Sequence, residues 1–262
     1  VVPSSRRGSM TQQQKVVVVG VSQIMKVLGS IAVLVIGVSM LWEVPKWDNR
    51  SIARENISTS SSSPVDLPTF DHRKFLRHTK TRLPQYREQF QLAGEKHDLS
   101  WVLLASQAYQ ESRWNRNARS PTGVRGLMML TRDTAADLGI TNRLDPRNSI
   151  HGGARYLARL HARLPRNIQG PDRMFFALAA YNVGMGHVKD AQILAKRFKK
   201  DPTRWDDLKT VLPLLAKKKY YKTLPNRYAR GWEPVQYVKR IRAYRKILKS
   251  LVQPKPSPQT EL

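Results

Sequence analysis

A glutamate at the end of an apolar segment is the residue of this sequence best suited to acid–base chemistry. Glu111 follows Leu104 and Ala108 at helical spacing, so a helix beginning after Ser100 would carry it on the same face as two apolar residues. Burial beside apolar groups and the negative end of a helix both raise the pKa of a carboxyl group. The spacing predicts a carboxylic acid that stays protonated near neutral pH and can donate a proton to a leaving group. From the helix alone, a glutamate that turns into solvent at a fraying end is the commoner outcome.

A segment rich in turn-forming residues follows Glu111 and must fold back across the end of the helix. Between Asn115 and Gly126 it contains asparagine, serine, proline and glycine residues that cannot continue a helix. The apolar run Leu127–Leu130 then re-enters the protein, and the next acidic residue is Asp133. Ordinary glycoside hydrolases use two carboxylates that flank the bond. The loop supplies no second one, which favours a mechanism with a single acid.

Three motifs in order resemble the catalytic core of the family 1 lytic transglycosylases. They are YQES ending at Ser112, SPTGVRGLMML from Ser120 to Leu130, and AYNVG from Ala180 to Gly184. Within that family the Met-Met-Leu run is similar to the F type, whose members generally carry a solute-binding-like domain before the catalytic one. We expect no room for that domain here. The resemblance covers residues 70 to about 251, roughly two-thirds of the chain, and implies a lysozyme-like fold.

The resemblance also implies a reaction. Glu111 would protonate the glycosidic oxygen between MurNAc and GlcNAc and then, as a carboxylate, remove the proton of the C6 hydroxyl of the muramic acid, which closes on C1. The product would be a 1,6-anhydro end, and no water would be consumed. A hydrolytic muramidase and a non-catalytic, membrane-anchored cell-wall-binding protein are the alternatives.

The resemblance further implies a set of substrate-binding residues. Ser112 would position the substrate or the acid, although an ordinary serine at a helix end is an equally good interpretation. A methionine such as Met128, at the boundary of loop and core, is more often a packing residue. Tyr181 and Asn182 would hydrogen-bond N-acetyl or carbonyl groups, although spacing alone favours a core tyrosine and a helix-ending asparagine. The full set is Ser112, Gly126, Leu127, Met128, Tyr181, Asn182 and Tyr237, of which Tyr237 has the weakest correspondence.

The elements that must position these residues are predicted to be helices. We find no convincing strand alternation and no repeat of 20–50 residues, so we expect an all-α domain. Ser100, Thr131 and Asp172 are each expected to cap the helix that follows, and either Asn148 or Ser149 to begin another. We expect a helix that starts at Ser100 and ends a few residues after Glu111. The other predicted helices span residues 84–97, 132–139, 148 or 149 to 164, 172–183, 188–198, 205–212 and 235–252.

The composition favours an anionic partner. The chain of 262 residues has no cysteine, and its six histidines show no HExxH pairing, so we expect no metal and no cofactor. Its net charge of +27 suits nucleic acid, a membrane surface or a carboxylate-bearing cell-wall polymer. Trp205, Tyr220 and Tyr221 in the basic stretch 196–222 could mimic a nucleic-acid groove. We favour the peptide carboxylates of peptidoglycan or anionic lipid, and no nucleic acid, because we expect the domain to be secreted.

The N-terminal quarter of the chain is predicted to be a membrane anchor and a tether. After a basic segment at 1–15, residues 16–42 carry one charge, Lys26, and as a helix would run about 40 Å, more than the roughly 30 Å of a bilayer core. The preceding basic residues place the catalytic domain in the periplasm; a cleaved signal peptide is the alternative. The remaining predicted regions are a flexible linker at 43–69, the catalytic domain at 70–252 and a disordered tail at 253–262.

Overall fold

The computed structural model describes residues 69–252, in which the chain forms ten α-helices and no β-strand. Two short 3₁₀ turns lie at 83–85 and 212–216. The prediction of an all-α domain is confirmed for this range. The helices, numbered along the chain, are α1 (Thr69–Thr81), α2 (Arg87–His97), α3 (Trp101–Ser112), α4 (Arg132–Asp137), α5 (Pro146–Ala162), α6 (Gly170–Val183), α7 (Met185–Arg197), α8 (Trp205–Val211), α9 (Lys218–Tyr221) and α10 (Trp232–Val252).

Helices α3, α6 and α10 form the centre of the domain. Most of α3 is buried, and so is the second half of α6, from Phe176 to Val183. A helix that is apolar on every side must be covered on every side. Accordingly α10 packs against both α3 and α6, α2 packs against α3, α5 packs against α6, and α2 and α5 contact each other. The end of α3 that carries Glu111 is therefore held by several neighbours.

Four aromatic rings brace the C-terminal end of α3. The ring centroid of Tyr109 lies 4.6 Å from that of Phe75 on α1, 4.7 Å from that of Trp114 and 4.8 Å from that of Tyr244 on α10. All four side chains are fully buried, and edge-on ring contacts add to the stabilisation that burial provides. Because Tyr109 precedes Glu111 by two residues, this cluster fixes the position of the helix turn that carries the acid.

The capping predictions had three different outcomes. Thr131 caps α4 as predicted, since its hydroxyl accepts a hydrogen bond from the N–H of Thr134 at 3.0 Å. Ser100 occupies the predicted capping position of α3, but its side chain makes no capping hydrogen bond. The prediction for Asp172 is wrong, because α6 begins two residues earlier. The carboxylate of Asp172 instead accepts a hydrogen bond from the N–H of Trp205 at 3.2 Å, which ties α6 to α8.

Several helix boundaries also differ from the predicted ones. Helix α5 begins at Pro146 with Asp145 as its cap, not at Asn148 or Ser149; proline suits a first helical turn because it has no N–H to satisfy. Helices α7 and α10 each begin three residues before the predicted start, and the predicted helix 84–97 is a 3₁₀ turn followed by α2. Helix α1 was not predicted, because only Phe70, Phe75 and Leu76 of its 13 residues are apolar.

The predicted anchor, linker and tail lie outside the described residues, except that Thr69, the last residue of the predicted linker, begins α1. Among the helices of residues 69–252, none combines the length and the apolar character that a membrane span requires. The predicted domain boundaries, the anchor at 16–42 and the tail at 253–262 therefore stay predictions.

Candidate active site

Glu111 lies in the last turn of α3, one residue before the helix ends at Ser112. The chain then reverses sharply, because Arg113 and Trp114 both adopt left-handed backbone angles, with φ of 54° and 55°. The indole N–H of Trp114 donates a hydrogen bond to the carbonyl oxygen of Ala105 at 2.8 Å, which fastens this turn back onto α3. Such angles are strained for residues other than glycine and persist only where the surroundings hold them. The direction in which the acid projects is therefore fixed.

Tyr237 on α10 is the direct partner of Glu111. Its hydroxyl donates a hydrogen bond to Oε1 of Glu111 at 2.5 Å. Tyr237 itself is buried, whereas Glu111 as a whole residue is partly buried. The residue with the weakest correspondence in the sequence is thus one that the structure places in direct hydrogen-bond contact with the acid.

Burial raises the pKa of Glu111 from 4.5 to about 8, while the hydrogen bond from Tyr237 acts in the opposite direction. Removal from water disfavours the charged form of a carboxyl group, and a donated hydrogen bond favours it. No other carboxylate of the described residues contributes to this shift. Glu111 is therefore a lone acid that is protonated at neutral pH and whose ionised form has a hydrogen-bond donor ready.

The returning loop places backbone groups beside α5 and α6. The hydroxyl of Tyr181 donates to the carbonyl oxygen of Met128 at 2.8 Å, and the N–H of Met128 donates to Oγ of Ser149 at 3.1 Å. Gly126 has a φ of 84°, and a Cβ atom there would lie 1.9 Å from the carbonyl oxygen of Arg143. Only glycine meets both requirements, so the course of the loop depends on this residue.

The side chains of Leu127 and Met128 are fully buried. Met128 packs directly over Gly153 of α5, where even a methyl group would come within 2.6 Å of its Cβ and Cγ atoms. These two side chains therefore fill the core beneath the loop. That residues 126–128 belong to a substrate-facing loop stays a prediction.

The remaining predicted residues of α3 and α6 differ in what they offer a ligand. Oγ of Ser112 donates to the carbonyl oxygen of Ala108 at 3.0 Å, as an ordinary serine at a helix end does. Asn182 is buried, and its Oδ1 has no hydrogen-bond partner among the described residues. An unpaired buried acceptor is costly, which makes Asn182 a candidate to accept a hydrogen bond from a bound molecule.

Tyr181 lies close enough to Glu111 to be influenced by its charge. Burial raises the pKa of Tyr181, and the charge of Glu111 raises it further.

Gln107 is a site residue that the sequence reasoning missed. It lies on α3 one turn before Glu111, it is fully buried, and its Nε2 donates to the hydroxyl of Tyr237 at 3.2 Å. The sequence did contain a signal for Gln107, because it precedes Glu111 by four residues and residues four apart share one face of a helix. A glutamine on the face that must bury its apolar residues is uncommon and needs a polar partner.

The groups that the structure brings together are the carboxylic acid of Glu111, the phenols of Tyr237 and Tyr181, and the amide of Gln107. Within residues 69–252, no group of three or more histidine, aspartate or glutamate side chains is arranged to hold a metal ion. An all-α domain with a lone, largely protonated acid at the end of a buried helix defines the class: a helical domain with a single candidate acid for acid–base chemistry.

Comparison with known proteins then identifies the family of this domain. Residues 88–203 match the family described as "Transglycosylase SLT domain". The chain therefore contains a transglycosylase SLT domain, and the resemblance inferred from the three sequence motifs is confirmed.

The similar proteins include "Membrane-bound lytic murein transglycosylase F" of Saccharophagus degradans, 53% identical over 66% of this chain and 35% of that protein. The proteins of the same name from Shewanella loihica and Maricaulis maris are 58% and 54% identical, over 66% and 70% of this chain and 36% and 40% of theirs. The chain thus spans 35–40% of the length of these relatives. A solved structure, an inactive mutant of the lytic transglycosylase Slt from Pseudomonas aeruginosa, is 25% identical and covers 65% of this chain and 25% of its own, with a TM-score of 0.46.

Proposed function

We propose that this chain is a peptidoglycan lytic transglycosylase that cleaves the β-1,4 bond between MurNAc and GlcNAc and leaves 1,6-anhydro-MurNAc ends. The observation that carries the proposal is the setting of Glu111, a lone acid with a pKa of about 8 that is hydrogen-bonded by Tyr237, inside an SLT domain. Curated relatives named as lytic murein transglycosylases support the same activity.

In the first step, the protonated Glu111 donates its proton to the glycosidic oxygen as the bond from that oxygen to C1 breaks. An acid is an efficient donor when its pKa lies near the working pH, and burial raises the pKa of Glu111 to about 8. After the transfer Glu111 is a carboxylate, and the hydroxyl of Tyr237 already donates to its Oε1. The phenol thus stabilises the charge that this step creates.

In the second step, the carboxylate of Glu111 removes the proton of the C6 hydroxyl of the same muramic acid. The C6 oxygen bonds to C1, which closes the 1,6-anhydro ring and regenerates the protonated acid. Because the substrate supplies its own nucleophile, no second carboxylate is needed to activate water. None contributes to the electrostatic setting of Glu111 within the described residues.

Asn182, Tyr181 and the loop backbone form the proposed substrate-binding side of the site. The unpaired Oδ1 of Asn182 is suited to accept a hydrogen bond from an N-acetyl N–H group. Tyr181 holds the loop through the carbonyl oxygen of Met128, so it would position residues 126–128. Ser112 is a weaker member, because its hydroxyl is already bonded within α3.

We propose further that the protein acts in the bacterial cell envelope, since its relatives are named as membrane-bound. In this proposal residues 16–42 anchor the chain in a membrane, 43–69 form a linker, and the domain at 70–252 works in the periplasm, followed by a disordered tail at 253–262. The high net positive charge supports attraction to a wall that carries peptide carboxylates.

The decisive experiment is mass spectrometry of the muropeptides that the purified chain releases from sacculi. We expect products with a 1,6-anhydro ring, and we expect Glu111→Gln to reduce their release by about 100-fold or more, because it removes the proposed proton donor. Glu95→Gln, an exposed glutamate on α2, is the matched control and should leave release unchanged.

Other results would contradict this proposal. Products that carry one additional water in place of the anhydro ring would identify a hydrolytic muramidase. Binding to sacculi without release, unaffected by Glu111→Gln, would identify a cell-wall-binding protein.

A further inference from the structure

Gln107 is a buried amide that the proposed reaction does not use, although it lies one helical turn from the acid. Its Nε2 donates to the hydroxyl of Tyr237 at 3.2 Å, and that hydroxyl donates to Oε1 of Glu111 at 2.5 Å. All of the contacts are made inside the junction of α3 and α10. The three side chains form a hydrogen-bonded series that ends at the acid.

The direction of this series follows from the number of protons available. A phenol has a single proton to donate. Because an N–H of Gln107 points at the oxygen of Tyr237, the hydroxyl proton must point elsewhere, and Oε1 of Glu111 is the acceptor within reach. The donation from Gln107 also polarises the hydroxyl and strengthens the bond that it makes to the acid. If the side-chain amide of Gln107 were flipped by 180°, its NH2 group would occupy the place of Oε1, which is buried and has no partner. Two N–H donors would then be buried without acceptors, instead of one carbonyl oxygen without a donor.

This direction determines which oxygen of Glu111 carries its proton. Oε1 accepts a hydrogen bond from Tyr237, so a neutral Glu111 carries its own proton on Oε2. Oε2 is therefore the oxygen that can donate to a ligand. If the hydroxyl of Tyr237 turned away, it could accept the proton of Glu111 instead, and the acid would point its proton into the protein.

We propose that Gln107 is a positioning residue that orients the hydroxyl of Tyr237, so that Glu111 holds its proton on Oε2 and presents it to the glycosidic oxygen. The catalytic consequence rests on the proposed function, whereas the position of the proton does not.

The stability of the domain gives no reason for a glutamine here. Oε1 of Gln107 is buried with no partner among the described residues, which is unfavourable for folding. An apolar side chain of the same length would avoid that loss. Gln107 thus carries a cost in stability while it contacts the hydrogen-bond partner of Glu111. This combination is typical of residues in functional sites, where function and stability often conflict.

The test compares Gln107→Met, which keeps the length of the side chain but removes the donor, with the unaltered full chain. The pKa of Glu111 is read from the carboxyl ¹³C NMR shift of protein labelled at glutamate. We expect it to rise by about one pH unit in the variant, because the neutral acid gains a hydrogen bond to the freed phenol and the carboxylate loses its polarised donor. Activity on sacculi should fall about tenfold in kcat with little change in KM, and the thermal midpoint should stay the same or rise.

Two further variants sharpen the test. Gln107→Glu offers Tyr237 an acceptor in place of a donor, so it should raise the pKa of Glu111 further than Gln107→Met does. Ser106→Ala is the matched control, since Ser106 is equally buried on α3 but bonds only to the carbonyl oxygen of Val102. It should leave both the pKa and kcat unchanged.

An unchanged pKa of Glu111 in folded Gln107→Met would overturn the proposal, whether kcat is unchanged or falls together with the thermal midpoint. The second of these results would mean a structural role. Failure of the wild-type chain to release anhydro products would reject the proposed function alone, because the NMR titration would still report whether Gln107 positions the proton.

Discussion

The carboxyl group of Glu111 is subject to two opposing influences from its surroundings. Burial favours the neutral form, and the phenol of Tyr237 favours the ionised form. In a reaction that uses one group first as acid and then as base, each influence assists a different step. A substitution that removes one influence should therefore affect one step more than the other.

Replacing Tyr237 by phenylalanine should separate the two steps. The hydroxyl of Tyr237 lowers the pKa of Glu111 from the value that burial alone would give, so its loss should move that pKa above about 8. The alkaline limb of the pH–activity profile should then shift upward by about one pH unit, while kcat falls about tenfold because the carboxylate loses its donor. Steady-state assays between pH 5 and 10 measure both effects.

Tyr244→Phe is the control for this substitution. Tyr244 is buried on the same helix but belongs to the aromatic cluster around Tyr109, so its loss should leave the profile in place. An unchanged alkaline limb in Tyr237→Phe would contradict the role given to the phenol.

The raised pKa of Glu111 also predicts how stability depends on pH. Between pH 4.5 and about 8 the folded chain keeps a proton on Glu111 that the unfolded chain has lost, so stability contributed by this group falls as the pH rises through that window. The Glu111→Gln variant has no titrating carboxyl group at this position. Its thermal midpoint should therefore exceed that of the wild type most clearly above pH 8, and the difference should shrink toward pH 4.5.

Circular dichroism melts of both proteins across this range measure that trend. The exposed substitution Glu95→Gln should show no such dependence. A constant offset between Glu111→Gln and the wild type at every pH would mean that the carboxyl group does not change its pKa on folding.

At the scale of elements, sequence reasoning succeeded where the cause was local. The periodicity of α3 and the turn formers after it predicted where Glu111 would stand, and Thr131 capped α4 as expected. It failed where a distant partner decided the outcome, as for Asp172, whose carboxylate is used by Trp205 of α8 rather than by its own helix. The contact of Tyr237 with Glu111 also joins residues that are distant in the sequence. No spacing rule links two helices so far apart in the chain, and only the family resemblance drew attention to Tyr237.

The contact between α5 and the loop offers a test at this scale. Gly153→Ala would place a methyl group 2.6 Å from Cβ of Met128, an atom that moves only with the backbone. We expect a loss of about 1–3 kcal/mol in stability from overpacking, together with lower activity, because the carbonyl oxygen of Met128 holds Tyr181. Chemical denaturation and the sacculus assay measure the two effects.

Gly152→Ala is the matched control for that change. It lies on the same helix and gains the same helix propensity, but its methyl group would meet mainly the flexible end of Ile140, which can rotate away. Equal losses in the two variants would argue against a special role for the contact with Met128.

At the scale of the whole molecule, the excess of positive charge is the dominant property. The chain has 46 lysine and arginine residues and 19 acidic residues. A group of exposed lysines lies around α9: Lys217, Lys218, Lys219 and Lys222. A surface of this kind attracts a polyanion over distances of about a Debye length, and salt weakens the attraction.

Removing three of these charges should weaken attachment without altering the chemistry. The triple substitution of Lys217, Lys218 and Lys219 by glutamine should reduce retention on sacculi at low salt by a few-fold while the released products stay the same. The corresponding triple substitution by arginine keeps the charge and should bind as the wild type does. Co-sedimentation over a salt series, with uncharged chitin as a second polymer, measures the effect; equal retention of both triple variants would contradict it.

Glu111 and Tyr237 are 126 positions apart in the chain, which has a consequence during protein synthesis. A ribosome makes the glutamate long before it makes the tyrosine, and α10 can fold onto α3 only after it has emerged. Until then the carboxyl group is solvated and ionised at neutral pH, as in any unfolded peptide. A nascent or prematurely terminated copy therefore lacks the buried, protonated form of Glu111, and under the proposed function it could not cut glycan before α10 is in place.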